Sequence, residues 1–217
     1  MNDLNEYLKN ARLEYSKHGL LEAEMESHPI AQFKKWMKNA LEQNLNEPYA
    51  MHVATVSADG RPSSRIVLLR GFDEKGFVFY TNYNSRKGKN IAENKQVCAS
   101  FYWHELERQV HICGSAEKIS AEESDHYFNS RPRANQLGAL VSEQSNVIAG
   151  REILDDRLKH LEKELEGKKI PRPEHWGGYL IRPESMEFWQ GRPSRLHDRI
   201  LYSLISEGSW KMERLSP

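Results

Sequence analysis

The chain has 217 residues, enough for one large domain or two small ones. Its thirty-one basic and thirty-one acidic side chains cancel to a formal net charge of zero. This balance excludes binding to nucleic acid or to an anionic membrane through an overall positive field, because that mode needs an excess of cations. There is no apolar run long enough for a transmembrane helix, and the N-terminus lacks the apolar core of a secretory signal peptide.

The two cysteines, Cys98 and Cys113, have neither CxxC nor metal-ligand spacing. This usage is typical of ordinary thiols in a reducing compartment, so we expect a cytoplasmic protein without a bound metal.

The first 45 residues are predicted to be helical and charged. Gly19 is expected to end the first helix. Ser27 or His28 can cap the second, and Pro29 suits its first turn.

From Tyr49 onward, alternating apolar residues predict strands, with a hairpin turn at Asp59-Gly60 and a short apolar run at Arg65–Arg70. Further strands are predicted at Phe77–Thr81, Val97–His104, Gln109–Ile119, Gly178–Ile181, Ser185–Trp189, Arg199–Ile205 and Ser209–Leu215. Inserted helices are predicted at Ser85–Asn94, Ala121–Asn129, Ala134–Val141 and Arg151–Glu166.

Short turns between the strands favour antiparallel pairing over βαβ crossovers. We therefore predict a mainly β fold with inserted helices, of the α+β class, with about eight strands. The strands from both ends of the chain are expected to share one barrel, because neither set makes a stable sheet alone. The prediction is a single domain over residues 1–217, with a mobile helical segment at about residues 1–20.

The zero net charge conceals a local cationic stretch. Residues 61–90 contain seven cations and two acids, whereas residues 142–166 contain seven acids and four cations. Within the basic stretch, the segment YTNYNSRK ends a strand and opens a helix at Ser85, Arg86 and Lys87. A helix N-terminus with a hydroxyl and a guanidinium suits a phosphate, and Arg65 could add a second guanidinium. The alternative is an N-capped surface helix with solvated cations.

Two later clusters contain further arginines. Tyr127, Arg131 and Asn135 could form a second anion pocket, although a helix end broken by Pro132 explains the same pattern. 

In the segment FWQGRPSRLHDR, Arg195 and His197 are two residues apart and would share a face of an extended segment. Asp198 would then point the other way, which argues against a His–Asp dyad.

The sequence contains no dinucleotide fingerprint, P-loop, HExxH or GxSxG motif, and its nine histidines are scattered. Anion-binding and aromatic groups without an obvious nucleophile indicate that a cofactor carries the chemistry.

Five segments in order, RIVLLR, FYTNYNSRK, WHELERQV, YFNSRPR and FWQGRPSRLHDR, resemble the pyridoxine (pyridoxamine) 5′-phosphate oxidases. The resemblance covers essentially the whole chain. It implies a Greek-key split β-barrel that forms a homodimer, with FMN sites at the subunit interface. It also implies oxidation of pyridoxine 5′-phosphate and pyridoxamine 5′-phosphate to pyridoxal 5′-phosphate. The electron acceptor is O2, giving H2O2, and the amine also releases ammonia.

The resemblance assigns the FMN phosphate to Arg65, Ser85, Arg86 and Lys87. The flavin and its ribityl chain would lie along Ile66, Val67, Leu68, Tyr80 and Thr81, with Gln109 bonded to the ring. Four further FMN contacts would arrive from elsewhere in the dimer: Gln144, Ser145, Trp189 and Arg199.

For the substrate phosphate, the matching residues are Arg70, Tyr127, Arg131 and Asn135. Arg195 and His197 would hold the pyridine ring as catalytic residues, with Arg12 and Tyr15 closing over it. The family usually has lysine at Arg70 and commonly serine at Asn135; both replacements still donate to phosphate, with altered geometry.

Two alternatives stay open at this level. One is a non-catalytic carrier of FMN or pyridoxal phosphate, and the other is a split-barrel flavin reductase acting on a different substrate. A nucleic-acid module is disfavoured because its cations would spread along one exposed face.

Overall fold

The computed structural model describes residues 2–217, so Met1, the first residue of the predicted N-terminal segment, lies outside the described residues. The described residues form six α-helices: α1 Asn2–Asn10, α2 Pro29–Glu42, α3 Arg86–Glu93, α4 Ala121–Ser130, α5 Arg133–Val141 and α6 Glu152–Glu164. They also form nine strands: β1 Ala50–Val56, β2 Pro62–Leu68, β3 Gly71–Asp73, β4 Gly76–Asn82, β5 Gln96–Trp103, β6 Arg108–Lys118, β7 Trp176–Gln190, β8 Asp198–Ser206 and β9 Ser209–Leu215.

The chain divides into two compact units. The terminal unit holds the residues up to Pro48, Tyr102–His111 and Ser185–Pro217, and the central unit holds Tyr49–Phe101 and Ile112–Glu184. Strands β6 and β7 run from one unit into the other along the chain. The prediction of a single domain over 1–217 stays a prediction.

The central unit is built on an antiparallel sheet with strand order β2-β1-β5-β6-β7-β4-β3. Strands β1 and β2 pair from Ala50↔Leu68 to Val56↔Pro62, which leaves Asp59-Gly60 in the predicted hairpin turn. Gly60 has φ +81°, a conformation that favours glycine. The predicted antiparallel pairing and the mainly β fold with inserted helices are confirmed.

The terminal unit packs around aromatic rings. Trp36 of α2 meets Phe188 of β7 edge to face, with 5.2 Å between ring centroids. Phe188 in turn meets Tyr202 of β8 at 5.6 Å. All three are almost fully buried, and such pairs add specific geometry to the free energy of apolar burial. His28 caps α2 through Nδ1, which accepts the Ile30 N–H, as one of the two predicted caps.

The prediction for the N-terminal segment was wrong in its extent. Helix α1 ends at Asn10, well before Gly19, and residues 11–19 contain no helix or strand. Tertiary hydrogen bonds replace helical ones here, because the N–H groups of Ser16 and Lys17 donate to Glu107 and that of Leu20 donates to Asp198.

Two strand predictions also need correction. The strands expected at Gly178–Ile181 and Ser185–Trp189 form one continuous strand, β7, with Pro183 inside it. Proline lacks an N–H for a sheet ladder, and β7 nevertheless continues through it. The very short β3 was not predicted. Among the described residues, no helix has the length and apolar character needed to cross a membrane.

Candidate functional site

A cavity of about 790 Å³ in the central unit, the central pocket, contains most of the predicted phosphate-binding groups. Of the residues predicted for FMN, its lining includes Ile66, Val67, Leu68, Tyr80, Thr81, Lys87 and Gln144. All four residues predicted for the substrate phosphate also line it: Arg70, Tyr127, Arg131 and Asn135.

Lys87 lies on the first turn of α3, and its ammonium group is buried in this pocket. Ser85 caps the helix by accepting the Gly88 N–H, as the sequence predicted. Lys87 Nζ donates to Gln144 Oε1 at 2.6 Å and to Thr81 Oγ1 at 3.0 Å. Only 8% of Lys87 is exposed. Burial, with a smaller contribution from Arg65, lowers the pKa of Lys87 to about 8.

Arg65 on β2 lies beside the same group of cations. Its guanidinium donates to Val53 O, Thr55 Oγ1 and Ser63 Oγ, which fixes its orientation. Burial and then the charge of Arg86 lower the Arg65 pKa. Within residues 2–217, no carboxylate forms an ion pair with Arg65, Arg86 or Lys87. Asp59 is near enough for Arg86 to contribute to lowering the Asp59 pKa, but like charges held together without an ion-paired acid still favour the binding of an anion.

A second group of cations, Arg70 and Arg131, lines another part of the pocket. The Nη1 atom of Arg131 is buried and has no hydrogen-bond partner among the described residues. Its guanidinium carbon lies 4.5 Å from the centroid of the Trp176 ring. Burial lowers the Arg131 pKa, and Arg70 lowers it further while Tyr127 opposes the shift. A buried guanidinium N–H without an acceptor is costly, so this group too is suited to a ligand anion.

Three stacked rings form an aromatic wall of the central pocket. The centroids of Tyr80 and Tyr127 are 3.8 Å apart, and those of Tyr80 and Trp176 are 5.5 Å apart. Burial raises the pKa of Tyr80 to about 12, so its hydroxyl stays protonated at neutral pH. Trp176 was missed by the sequence analysis, because it opens β7 outside every recognised segment. Ile66 also lines the pocket with 62% of its surface exposed, which offers apolar contact to a flat ligand.

A second cavity, of about 730 Å³, lies in the terminal unit and is called the terminal pocket here. The predicted residues that line it are Arg12, Tyr15, Gln109, Trp189, Arg195 and His197. The ring centroids of Trp189 and His197 are 4.6 Å apart, and Tyr15 packs edge-on against both rings. This arrangement brings both catalytic candidates and both N-terminal candidates to one cavity.

His197 is oriented by the backbone. Its Nδ1 accepts the Arg192 N–H at 3.1 Å, which leaves the proton of the neutral ring on Nε2. Burial and then Arg195 lower the His197 pKa, so the neutral form predominates at neutral pH.

The turn that carries Arg195 is not extended, contrary to the prediction. Ser194 and Arg195 have φ values of +57° and +61°, a left-handed conformation that is costly for residues other than glycine. Arg195 and His197 nevertheless line the same cavity. Asp198 pairs with Arg192 and Arg214, which accords with the prediction that no His–Asp dyad forms.

Five predicted FMN residues do not line either cavity. Arg65 and Ser85 are fixed as described, and the Arg86 N–H donates to Ser145 Oγ at 3.2 Å, joining two of the predicted residues. Arg199, in the terminal unit, forms two hydrogen bonds with the carboxylate of Glu187 at 2.7 and 2.9 Å. In the described part of the chain, no three His, Cys, Asp or Glu side chains are grouped as metal ligands.

Comparison with known proteins identifies the family. The family model for pyridoxamine 5′-phosphate oxidase matches residues 37–163, which is more than half of the chain. The chain belongs to the pyridoxamine 5′-phosphate oxidase family. A second model, for the C-terminal dimerisation region of pyridoxine 5′-phosphate oxidase, matches residues 176–217. The resemblance found in the sequence is therefore confirmed.

Relatives within this family match almost the full length of the chain. A pyridoxine/pyridoxamine 5′-phosphate oxidase of Nostoc sp. is 54% identical over 210 residues, covering 97% of this chain and 98% of the relative. That of Flavobacterium johnsoniae is 54% identical over 217 residues, with both chains covered completely.

A solved structure is similar over nearly the whole fold. PhzG from Burkholderia lata, in complex with tetrahydrophenazine-1-carboxylic acid, has a TM-score of 0.86 at 32% identity, covering 93% of this chain and all of that chain. A pyridoxamine 5′-phosphate oxidase-related, FMN-binding protein of Nostoc punctiforme has a TM-score of 0.68 at 19% identity, covering 85% and 97%, and supports the fold alone.

Proposed function

We propose that this protein is an FMN-dependent oxidase that converts pyridoxine 5′-phosphate and pyridoxamine 5′-phosphate to pyridoxal 5′-phosphate. The observation that carries the proposal is the presence of two cation groups in the central unit, neither of which forms an ion pair with a carboxylate among the described residues. Two phosphates, one from the cofactor and one from the substrate, would balance these charges.

The first group fits the phosphate of FMN. Arg65, Ser85, Arg86 and Lys87 would hold it, and the chemistry of this donor set supports the assignment because Lys87 is a buried cation bonded only to neutral oxygens. The remaining FMN contacts would come from Ile66, Val67, Leu68, Tyr80, Thr81, Gln109, Gln144, Ser145, Trp189 and Arg199.

The second group fits the phosphate of the substrate. Arg131 Nη1 is a buried donor that lacks an acceptor, and Arg70 lies close enough to affect the Arg131 pKa. Tyr127 and Asn135 supply a hydroxyl and an amide from the same lining. Arginine at position 70 presents a planar fork where a lysine would present a single ammonium, so we expect a changed substrate affinity and retained binding.

FMN, when bound, would supply the acceptor for a hydride from C4′ of the substrate, with O2 as the final electron acceptor giving H2O2; the amine substrate would also yield ammonia by hydrolysis. The role of Arg195 is to orient C4′ and to stabilise charge as the hydride leaves. His197 would donate from Nε2 to the polar edge of the pyridine ring, since its Nδ1 accepts the Arg192 N–H. Arg12 and Tyr15 would cover the ring and exclude water.

The same proposal includes a homodimer with FMN at the subunit interface. The match of residues 176–217 to a dimerisation region supports the dimer. Light scattering on the purified protein should give twice the chain mass of 25.3 kDa.

Oxygen uptake is the decisive experiment. The purified protein should be yellow and should consume O2 and produce H2O2 when given pyridoxine 5′-phosphate. A colourless protein that failed to take up added FMN would overturn the proposal. A yellow protein without peroxide production would indicate a carrier, and oxidation of a different substrate alone would indicate another flavin enzyme.

A further inference from the structure

Glu107 is a buried acid in the terminal unit that the proposed chemistry does not use. It lies in the turn between β5 and β6, is 5% exposed and has a left-handed backbone with φ +54°. Its Oε2 atom accepts the N–H groups of Ser16 and Lys17, both at 3.0 Å. Within the described residues, the Glu107 carboxylate has no Lys, Arg or His ion-pair partner. Its charge is therefore met by the backbone of the N-terminal segment.

The backbone of Glu107 contacts the other side of the terminal pocket. Its carbonyl oxygen accepts the Gly191 N–H at 2.8 Å and the Gln190 side-chain amide at 3.2 Å. Gly191 directly precedes the turn that carries Arg195 and His197. One residue thus holds both the segment with Arg12 and Tyr15 and the start of the catalytic turn.

Tyr15 packs closely onto this junction. A Cβ atom added at Gly191 would lie 2.7 Å from Tyr15 Cβ and 3.1 Å from Glu107 Cβ. Tyr15 also lies close enough to Tyr102 to contribute to raising the Tyr102 pKa to about 12, with burial as the main cause. The segment is therefore held at one defined place by close packing and by the carboxylate.

We propose that Glu107 is a positioning residue that fixes the Arg12–Tyr15 segment over the substrate, so that its loss weakens substrate binding without weakening FMN binding. This inference rests on the proposed function. The two backbone N–H groups belong to residues directly after Tyr15, so freeing them releases the ring that packs on Trp189 and His197. The FMN phosphate is assigned to other residues, Arg65, Ser85, Arg86 and Lys87, so we expect its binding to be unaffected.

The test compares Glu107→Gln, Glu107→Ala and the control Glu105→Gln in the full-length holoenzyme. Glutamine keeps the shape and one neutral acceptor, alanine removes both acceptors, and Glu105 is an exposed acid two residues away. Five quantities are measured: KM and kcat for pyridoxine 5′-phosphate, Kd for FMN by fluorescence, the melting temperature, and the rate of tryptic cleavage after Arg12 and Lys17.

The proposal expects KM to rise about tenfold in Glu107→Ala, as for loss of a charged hydrogen bond. Glu107→Gln should lie between alanine and wild type, and Glu105→Gln should match wild type. The Kd for FMN should stay unchanged, while tryptic cleavage after Lys17 should accelerate in the order wild type, glutamine, alanine.

Two results would overturn the proposal. Unchanged KM with faster cleavage would show that the segment is released without consequence for the substrate. A parallel loss of FMN affinity, kcat and melting temperature would show a general structural role. If the wild-type enzyme did not oxidise the substrate, the proposed function would fail, and the cleavage rates would still test whether Glu107 holds the segment.

Discussion

In the central unit, cations lie beside other cations without forming ion pairs to carboxylates among the described residues, whereas two arginines on either side of the catalytic turn, Arg192 and Arg199, are paired with acids. Lys87 is buried, Arg131 is half-buried with a buried Nη1 atom, and both have depressed pKa values. Around the terminal turn, by contrast, Arg192 pairs with Asp198 and Arg199 pairs with Glu187. Unbalanced cations bind an incoming anion strongly, because the ligand relieves their repulsion. Arginines paired with acids instead hold the turn in place. We therefore assign anchoring of the phosphates to the central pocket and orientation of the substrate to the terminal pocket.

The largest effects should come from replacing one arginine assigned to each role. Arg195→Ala should lower kcat by on the order of 100-fold, as for loss of a group that stabilises developing charge, with little change in the Kd for FMN. Arg86→Ala should do the reverse, weakening FMN binding more than turnover. Stopped-flow reduction and fluorescence titration measure the two quantities. If both variants lost only flavin affinity, the division between the pockets would be wrong.

Lys87→Met should raise the Kd for FMN by about 30-fold, through loss of a charged hydrogen bond.

The same variant tests the depressed pKa of Lys87 through the pH dependence of stability. Between about pH 8 and pH 10.5, unfolded Lys87 binds a proton that the folded FMN-free protein releases, so stability must rise with pH in this window.

The wild-type FMN-free protein should therefore gain up to about 3 kcal/mol relative to Lys87→Met across the window. Urea unfolding at several pH values measures this difference. Added FMN should reduce the pH dependence, because its phosphate favours the charged lysine. If the free energy of unfolding depended on pH in the same way in both proteins, the Lys87 ammonium would not be buried without a compensating charge.

Arg131→Met should raise KM for pyridoxine 5′-phosphate by about tenfold and leave FMN binding intact. Removal of the unpartnered Nη1 donor offsets the loss of the contact with Trp176, so the stability of the substrate-free protein should change by less than about 1 kcal/mol. Steady-state kinetics and thermal unfolding check both statements. An increase in the Kd for FMN of equal size would mean that the two cation groups serve one phosphate.

The smallest effect is expected from Gly191→Ala. The added Cβ would lie 2.7 Å from Tyr15, so the ring must shift away from the terminal pocket. We expect KM to rise by about three- to fivefold, a cost near 1 kcal/mol. Gly71→Ala is the matched control, because nothing lies within 4 Å of its Cβ position and it lines neither pocket. An equal KM for both variants would show that the position of Tyr15 does not affect substrate binding.

Local patterns predicted much of the central unit. The Asp59-Gly60 turn set the β1–β2 hairpin, and Ser85 marked the start of α3 because its hydroxyl can cap the helix. Features that depend on residues close together in the chain could thus be predicted from the sequence. The grouping of Lys87 with Gln144 was not, since it depends on a contact between residues 57 positions apart, and only the family resemblance pointed to it.

Contacts between residues distant in the sequence explain the features that the sequence analysis missed. Residues 16 and 17 are not helical, and their N–H groups donate to the carboxylate of Glu107, which is distant in the sequence. Trp176 carries no motif, and its role depends on stacking with Tyr80 and Tyr127. The roles assigned to the individual site residues stay predictions until the variants are measured.

The left-handed pair at Ser194 and Arg195 limits how this protein can be improved by design. Each such residue costs on the order of 1–3 kcal/mol, so Ser194→Gly is an obvious choice in a search for heat resistance. The gain in stability would come from relaxing the turn that holds Arg195 near His197. A more flexible turn would spend less time in the conformation that places Arg195 for catalysis. A selection for thermal tolerance alone would therefore favour slower enzymes at this position, and only a joint selection for turnover would retain serine.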